Sequence, residues 1–179
     1  MDAEISGEMV TPLDRYAALD DENGRVFVAY SPFGVSALRP AKDAATFEAW
    51  FRMRIGRRLE RVAALPTGLA SAIREHLHVR DCTVPLDLRS STDFERKVLL
   101  KTRTIPWGET RTYGWIAWEI GEPRSAKDVG VALSENPILY LIPCHRVVRS
   151  DGSLAGYAGG GVQAKRKLLM REGYASAGG

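Results

Sequence analysis

The stretch ILYLIPCHRVV, residues 138–148, constrains this chain more than any other. So apolar a run belongs in the interior, and a buried strand ordinarily ends on a turn residue. Here it ends on Cys144, His145 and Arg146, a thiol beside an imidazole and a guanidinium. The fold must therefore bring three chemically capable side chains to the end of a buried segment. A lone cysteine such as Cys144 is more often a structural thiol than a nucleophile. On extended backbone adjacent side chains point to opposite faces, so a direct thiol–imidazole bond is awkward and a bridging water is easier. A reactive thiol also needs a base, a cation or a helix N-terminus to ionise it. His145, Arg146 and a carboxylate that orients the imidazole, chiefly Glu172, are the candidates. Downstream, GSLAGYAGGG is glycine-dense with one aromatic, suited to bringing backbone N–H groups against a planar ligand.

The 179 residues leave room for one large domain or two small ones. A formal net charge of +3 permits a polyanionic partner without demanding one. Two cysteines, Cys82 and Cys144, argue against a disulfide framework and for a reduced cytosolic setting. His76, His78 and Cys82 lie close in sequence but lack the spacing of a closed zinc shell, so neither metal nor cofactor is expected. MDAEISGEMV lacks the charged start and apolar core of a signal peptide, and no run approaches membrane-spanning length. The expectation is a soluble, cytoplasmic protein with no membrane partner.

The first half reads as an α+β scaffold. YAALDDENGRVFVAYSPFGVSALRP breaks into short strands at the Asp21–Gly24 and Pro32–Gly34 turns. AATFEAWFRMRIGRRL and TGLASAIREHL carry helical periodicity. The pattern predicts a small antiparallel sheet with helices packed on it, over residues 1–88, the first twelve being loose. VPLDLRSSTDFERKVLLKTRTI marks the boundary: an extended piece, a Ser/Thr-rich cap, then a helix from about Asp93 to Thr102. A mainly helical unit follows over 89–174, with a flexible tail at 175–179. Within it, helices near Tyr113–Ile120 and Ala126–Ser134 flank the turn GEPR, the outline of a helix-turn-helix. Ser125, Ala126 and Gly130 give the second helix a small-residue face. Such a face suits close approach to a narrow groove or close packing on another helix.

NPILYLIPCHRVVRSDGSLAGYAGG followed by KRKLLMREG resembles the active-site segment of the O6-alkylguanine-DNA alkyltransferases, the methylated-DNA–protein-cysteine methyltransferases. PLDL with TDFERKVL, IPWGETRTYGWIAWEIGEP and VGVALSENP extend the resemblance over about residues 84–173. It implies a single-turnover repair protein that flips a damaged guanine from DNA and moves the O6-alkyl group irreversibly to Cys144. His145 would take the thiol proton through a water, with Glu172 orienting the ring and Asn136 bracing the turn. Tyr113 and Lys165 would assist the leaving guanine. Backbone at Cys144, Val147 and Ala158 would read the base, with Tyr157 lining the pocket. Thr112, Arg124, Ser125, Ala126, Lys127, Gly130 and Arg146 would contact DNA through the minor groove.

The resemblance further implies single- or double-stranded DNA carrying O6-alkylguanine as partner, a monomer with room for cooperative binding, and association with the nucleoid in a prokaryote. Three departures stand out. Lys127, followed by Asp128, occupies the position of the family's intercalating arginine; the metal ligands of some members are absent; and FERKVLL replaces the usual FQ-x-x-VW. Two other readings compete. A damage sensor that flips without transferring would lack the acceptor cysteine. A Cys-His hydrolase would need an oxyanion hole and direct base contact, and would turn over repeatedly.

Overall fold

The three strand runs of the first half form a meander in the computed structural model, which describes residues 13–21, 24–79 and 84–174. The expected loose N-terminus, the side chain of His78, Cys82, the centre of the Asp21–Gly24 turn and the 175–179 tail lie outside these residues. β1 (Asp14–Asp21), β2 (Gly24–Ser31) and β3 (Gly34–Pro40) pair antiparallel, with Ala17 opposite Val28 and Val28 opposite Leu38. A fourth strand, β4 (Leu59–Arg61), adds to β1 in parallel, so the sheet is mixed, in the order β3-β2-β1-β4. The expected sheet was antiparallel throughout. The difference arises because helix α1 (Ala44–Arg54) carries the chain from one edge of the sheet to the other.

Strand alternation splits the apolar residues between two faces. Tyr16, Phe27, Ala29 and Ala37 meet α1, whose Phe47 and Phe51 are wholly buried. Truncating either phenylalanine to alanine costs about 3–5 kcal/mol. Asp43 starts α1 by accepting a hydrogen bond from Thr46 N at 2.8 Å. Ala17, Leu19, Val26, Val28 and Leu38, on the opposite face, join Ile138, Leu139, Leu141 and Ile142 in one core. The two halves of the chain therefore share apolar interior.

That sharing continues along the outer edge of β3. Val35 N donates to Pro85 O at 2.8 Å and Leu38 N to Pro137 O at 2.9 Å, while Leu139 N donates back to Leu38 O. Gly34 permits the first contact: at φ +134°, a Cβ there would lie 2.4 Å from Pro85 O. The sheet edge thus anchors the segment that leads to Cys144. Helix α2 (Thr67–Val79) covers the core with Ile73. α3 (Asp93–Arg103) begins at the expected Ser/Thr-rich cap, where Thr92 and Glu95 form a full capping box.

Beyond α3, the two-residue strand β5 (Arg111–Thr112) runs directly into α4 (Tyr113–Glu119), and α5 (Ala126–Ser134) follows after a turn at Gly121, φ +80°. These helices match the expected helix-turn-helix spans to within a residue. β6 (Val147–Val148) pairs in parallel with β5, and α6 (Gly161–Arg171) closes the fold.

Candidate active site

Asn136 organises the approach to Cys144. It lies two residues beyond α5 and is 1% exposed. Its Oδ1 accepts from Ile138 N at 3.0 Å, and its Nδ2 donates to Ile142 O at 3.1 Å. The same Nδ2 reaches Cys144 Sγ at 3.3 Å. One side chain therefore folds the apolar stretch into a loop, with Tyr140 in the left-handed region at φ 69°, and places an N–H against the sulfur. The stretch is not a strand ending on Cys144. After Pro143 the residues Cys144–Arg146 form a single 3-10 turn, with Arg146 N bonded to Pro143 O. Side chains do not alternate here as they would on extended backbone, because tertiary hydrogen bonds from Asn136 impose the turn.

Cys144 is buried, and burial pushes its thiol up to about 11 against the opposing Asn136 hydrogen bond and Lys165 charge. Beneath it, His145 Nε2 meets Glu172 Oε1 at 2.7 Å. Arg146 grips the same carboxylate with Nε at 2.8 Å and Nη2 at 3.0 Å, and its Nη1 donates to Ile105 O at 2.7 Å. Burial raises the Glu172 carboxyl, but the hydrogen bonds from His145 and Arg146 outweigh it and hold it down near 2. His145 is driven the other way: burial lowers it and favours the neutral ring, against the pull of Glu172. Its Nε2 then carries the proton toward the carboxylate. Nδ1, buried without a hydrogen-bond partner among the described residues, keeps its lone pair. Lys165, 1% exposed, donates to Val147 O at 2.5 Å, and burial lowers it to about 8.

Above the sulfur opens a cleft of about 870 Å³. One wall is the helix-turn-helix, with Thr112, Tyr113, Ala126, Lys127 and Gly130; the other is the loop after β6, with Tyr157 and Ala158. Gly130 sits close under Tyr113, where a Cβ would be 3.8 Å from the ring. Gly159 is pressed tighter still: a Cβ there would lie 2.5 Å from the Tyr157 ring. Tyr157 stands edge-on to His145, ring centroids 6.1 Å apart, with its hydroxyl buried and without a hydrogen-bond partner among the described residues.

The residues expected at the site thus fall into three groups. Cys144, Thr112, Tyr113, Ala126, Lys127, Gly130, Tyr157 and Ala158 line the cleft, and Asn136, His145, Glu172, Lys165 and Val147 support it from within. Arg124 and Ser125 stand outside, Arg124 exposed before α5 and Ser125 at its N-cap without a capping bond. Arg146 belongs with neither the cleft nor an exposed DNA-facing surface. It is buried on Glu172, a partner 26 residues away that composition cannot reveal. Conversely Arg149, Ser150 and Asp151 line the cleft without having been singled out. Their only sequence signal is position, in a polar turn directly after the Cys-His-Arg segment. Among the described residues no group of three His, Cys, Asp or Glu could hold a metal ion, and no helix is long and apolar enough to cross a membrane.

The family model for the DNA-binding domain of 6-O-methylguanine DNA methyltransferase matches residues 93–174. The methylated-DNA–protein-cysteine methyltransferase of Mycobacterium tuberculosis is 53% identical over 89 residues, half of this chain and 53% of that protein. The bifunctional transcriptional activator/DNA repair enzyme Ada of Escherichia coli is 40% identical over 169 residues, 88% of this chain and 45% of Ada. The chain spans about half the length of these curated relatives. A crystal structure of Mycobacterium tuberculosis OGT in complex with DNA superposes with a TM-score of 0.73 at 34% identity, covering 88% of this chain and 92% of that one.

Proposed function

The chain belongs to the methylated-DNA–protein-cysteine methyltransferase family, and from that premise we propose that it repairs O6-alkylguanine in DNA by moving the alkyl group onto Cys144. The observation that carries this reading is the sulfur on the lining of an open cleft of about 870 Å³, with the Asn136 amide on it and the His145–Glu172 pair beneath. Residues 89–174 act as the DNA-binding and acceptor unit, and residues 1–88 as the scaffold whose sheet edge holds the 137–139 segment.

The chemistry follows from the charges. The thiol rests protonated, so a base must take its proton as substrate arrives. His145 Nδ1 receives it through a water, and Glu172 stabilises the imidazolium that forms. The thiolate attacks the O6-methyl carbon. The carbon–oxygen bond breaks with its electron pair passing to O6, and a thioether is left on Cys144. Tyr113 donates a proton or hydrogen bond to the departing guanine, and Lys165 supplies positive charge nearby. No group in the site can remove a thioether, so each molecule reacts once. The stacked base cannot reach a buried sulfur, which makes extrusion into the cleft necessary. The helix-turn-helix with its small-residue face enters the minor groove to achieve it.

Incubation with an O6-methylguanine oligonucleotide should add one methyl group per protein, located on Cys144 by intact mass and peptide mapping. Cys144→Ser should abolish transfer while DNA binding persists. Repeated turnover, or a methyl group on Cys82, would refute the reading.

A further inference from the structure

Arg149 has a place in the cleft that the reading above leaves unused. In the parallel pair β5–β6, Thr112 lies opposite Val148. The next residues, Tyr113 and Arg149, therefore leave the pair as neighbours, and both line the cleft with Cys144. The charge of Arg149 is felt at Tyr113 and at Lys165, consistent with that placement.

The backbone here is pinned by hydrogen bonds. Arg149 N donates to Ser153 O at 3.0 Å, Gly152 N donates to Arg149 O at 2.9 Å, and the Asp151 carboxylate accepts from Ser153 N at 2.9 Å. Gly152 supplies the left-handed turn residue at φ +80°. The guanidinium itself is exposed, with no hydrogen bond or ion pair to another described residue. Asp151, the one carboxylate among the described residues of the cleft lining, is engaged by the turn and also feels the Arg149 charge. Lys127 on α5 lines the same cleft.

We propose that Arg149 binds the backbone phosphate of the nucleotide drawn into the cleft, holding its sugar-phosphate arm while the base lies against Cys144. The proposal rests on the alkyl-transfer reading. A guanine base brings no anion of its own, so the anionic group that a nucleotide can offer to a cation at the cleft mouth is its phosphodiester. A guanidinium suits that group better than an ammonium because its fork meets two phosphate oxygens at once. Lys127 and Arg149 then flank the opening, one on the helix that enters DNA and one on the loop that closes over the base.

The test compares wild type, Arg149→Ala and Arg149→Lys on three probes: a methylated oligonucleotide, free O6-methylguanine base and an unmodified duplex. For Arg149→Ala, the ratio of oligonucleotide rate to free-base rate should fall about tenfold, and the salt slope of DNA binding should drop by about one. Arg149→Lys should restore the salt slope and only part of the rate ratio. Unchanged ratio and slope would overturn the proposal. Equal losses on oligonucleotide and free base would also overturn it, since Arg149 would then act on Tyr113 or on the loop itself. Failure of wild type to methylate Cys144 would refute the alkyl-transfer reading instead, and the salt slope on unmodified duplex would still decide the role of Arg149.

Discussion

Two clusters of buried charge lie in the two halves of the molecule, and they are built differently. In the first, Arg57 joins Asp14 and Asp87 at 2.8 Å each, and Arg89 adds a second guanidinium on Asp87 at 2.6 Å. Ser31 and Ser36 donate to the same carboxylates. Burial raises the Asp87 carboxyl, but Arg89 and Ser31 outweigh it and hold it well below the usual range. Two carboxylates meet two guanidiniums, so the set balances in charge and ties β1 to the segment that leaves the sheet, although at Asp14 burial outweighs Arg57 and raises the carboxyl. In the second cluster one carboxylate, Glu172, serves both Arg146 and His145, while Lys165 has only a carbonyl. Positive charge is in excess there, beside a thiol kept neutral by burial. A balanced set holds shape; an unbalanced set has capacity for the negative charge that appears when Cys144 ionises.

The largest expected effects come from breaking each set in turn. Glu172→Gln leaves Arg146 buried without its counter-charge, at a cost of about 3–5 kcal/mol. It also removes the imidazolium's partner, so single-turnover transfer should slow by about a hundredfold. His145→Gln combined with Glu172→Gln should slow transfer far less than the product of the single effects, because the two act as one unit. Full multiplicativity would separate them. Asp87→Asn, by contrast, should cost about 2 kcal/mol in denaturant unfolding and leave the rate per folded molecule unchanged. A slowed transfer in Asp87→Asn would erase the distinction between the clusters.

Methylation should itself disturb the unbalanced set. A methyl group added to a packed sulfur costs about 1–3 kcal/mol and spoils the Asn136 hydrogen bond, so the reacted protein should melt lower than the free one. An equal or higher Tm would mean that the pocket has room in reserve.

Acid should separate the clusters by their titrating groups. His145 sits below its ordinary 6.5 in the folded protein. The unfolded chain therefore takes up a proton first as pH falls, and stability declines from about pH 6.5 downward. The Glu172 contribution is complete above about 4.5 and is lost as pH falls toward 2. His145→Gln should flatten the upper part of an unfolding-versus-pH curve and leave the Asp87 contribution in place at lower pH. An unchanged curve above pH 5 would show that the buried imidazole takes up its proton as readily as in the unfolded chain.

What the sequence disclosed follows the same division. Features set by neighbours in the chain were legible: the Ser/Thr cap that starts α3, the spans of α4 and α5, the turn at Pro32–Gly34. Glu172 stood out as a candidate orienter for His145 from the chemistry a reactive thiol needs, and family resemblance gave it that role; the structure places the pair in contact across 27 residues. Pairings that neither periodicity nor resemblance encodes were missed. β4 joins β1 in parallel across some 45 residues. Arg146 turned inward because Glu172 and the Ile105 carbonyl await it there. The 3-10 turn at Cys144 exists because Asn136 bonds forward to Ile142 and Cys144, a tertiary choice that overrides the β-rich look of ILYLI.

The smallest expected effect concerns the cations left open at the cleft mouth, where the contrast with the balanced cluster is greatest. Lys127 lines the cleft near the start of α5, exposed, with no ion pair to another described residue, and Asp128 follows it. Resemblance puts it where the family has an intercalating arginine. A lysine stem can fill the gap left by an extruded base while its ammonium reaches a phosphate, but it offers no plane to stack on the neighbouring bases. Unstacking a base costs a few kcal/mol, and less in a single strand or opposite a mismatch. The protein should therefore react faster with such lesions than with the same lesion in a fully paired duplex. Lys127→Arg should narrow that difference by speeding the duplex reaction, and Lys127→Ala should widen it, each by severalfold. Single-turnover rates on matched, mismatched and single-stranded oligonucleotides measure this directly. Equal duplex rates for wild type and both variants would make Lys127 a solvated helix residue, and the wedge would have to be sought elsewhere on the α5 face.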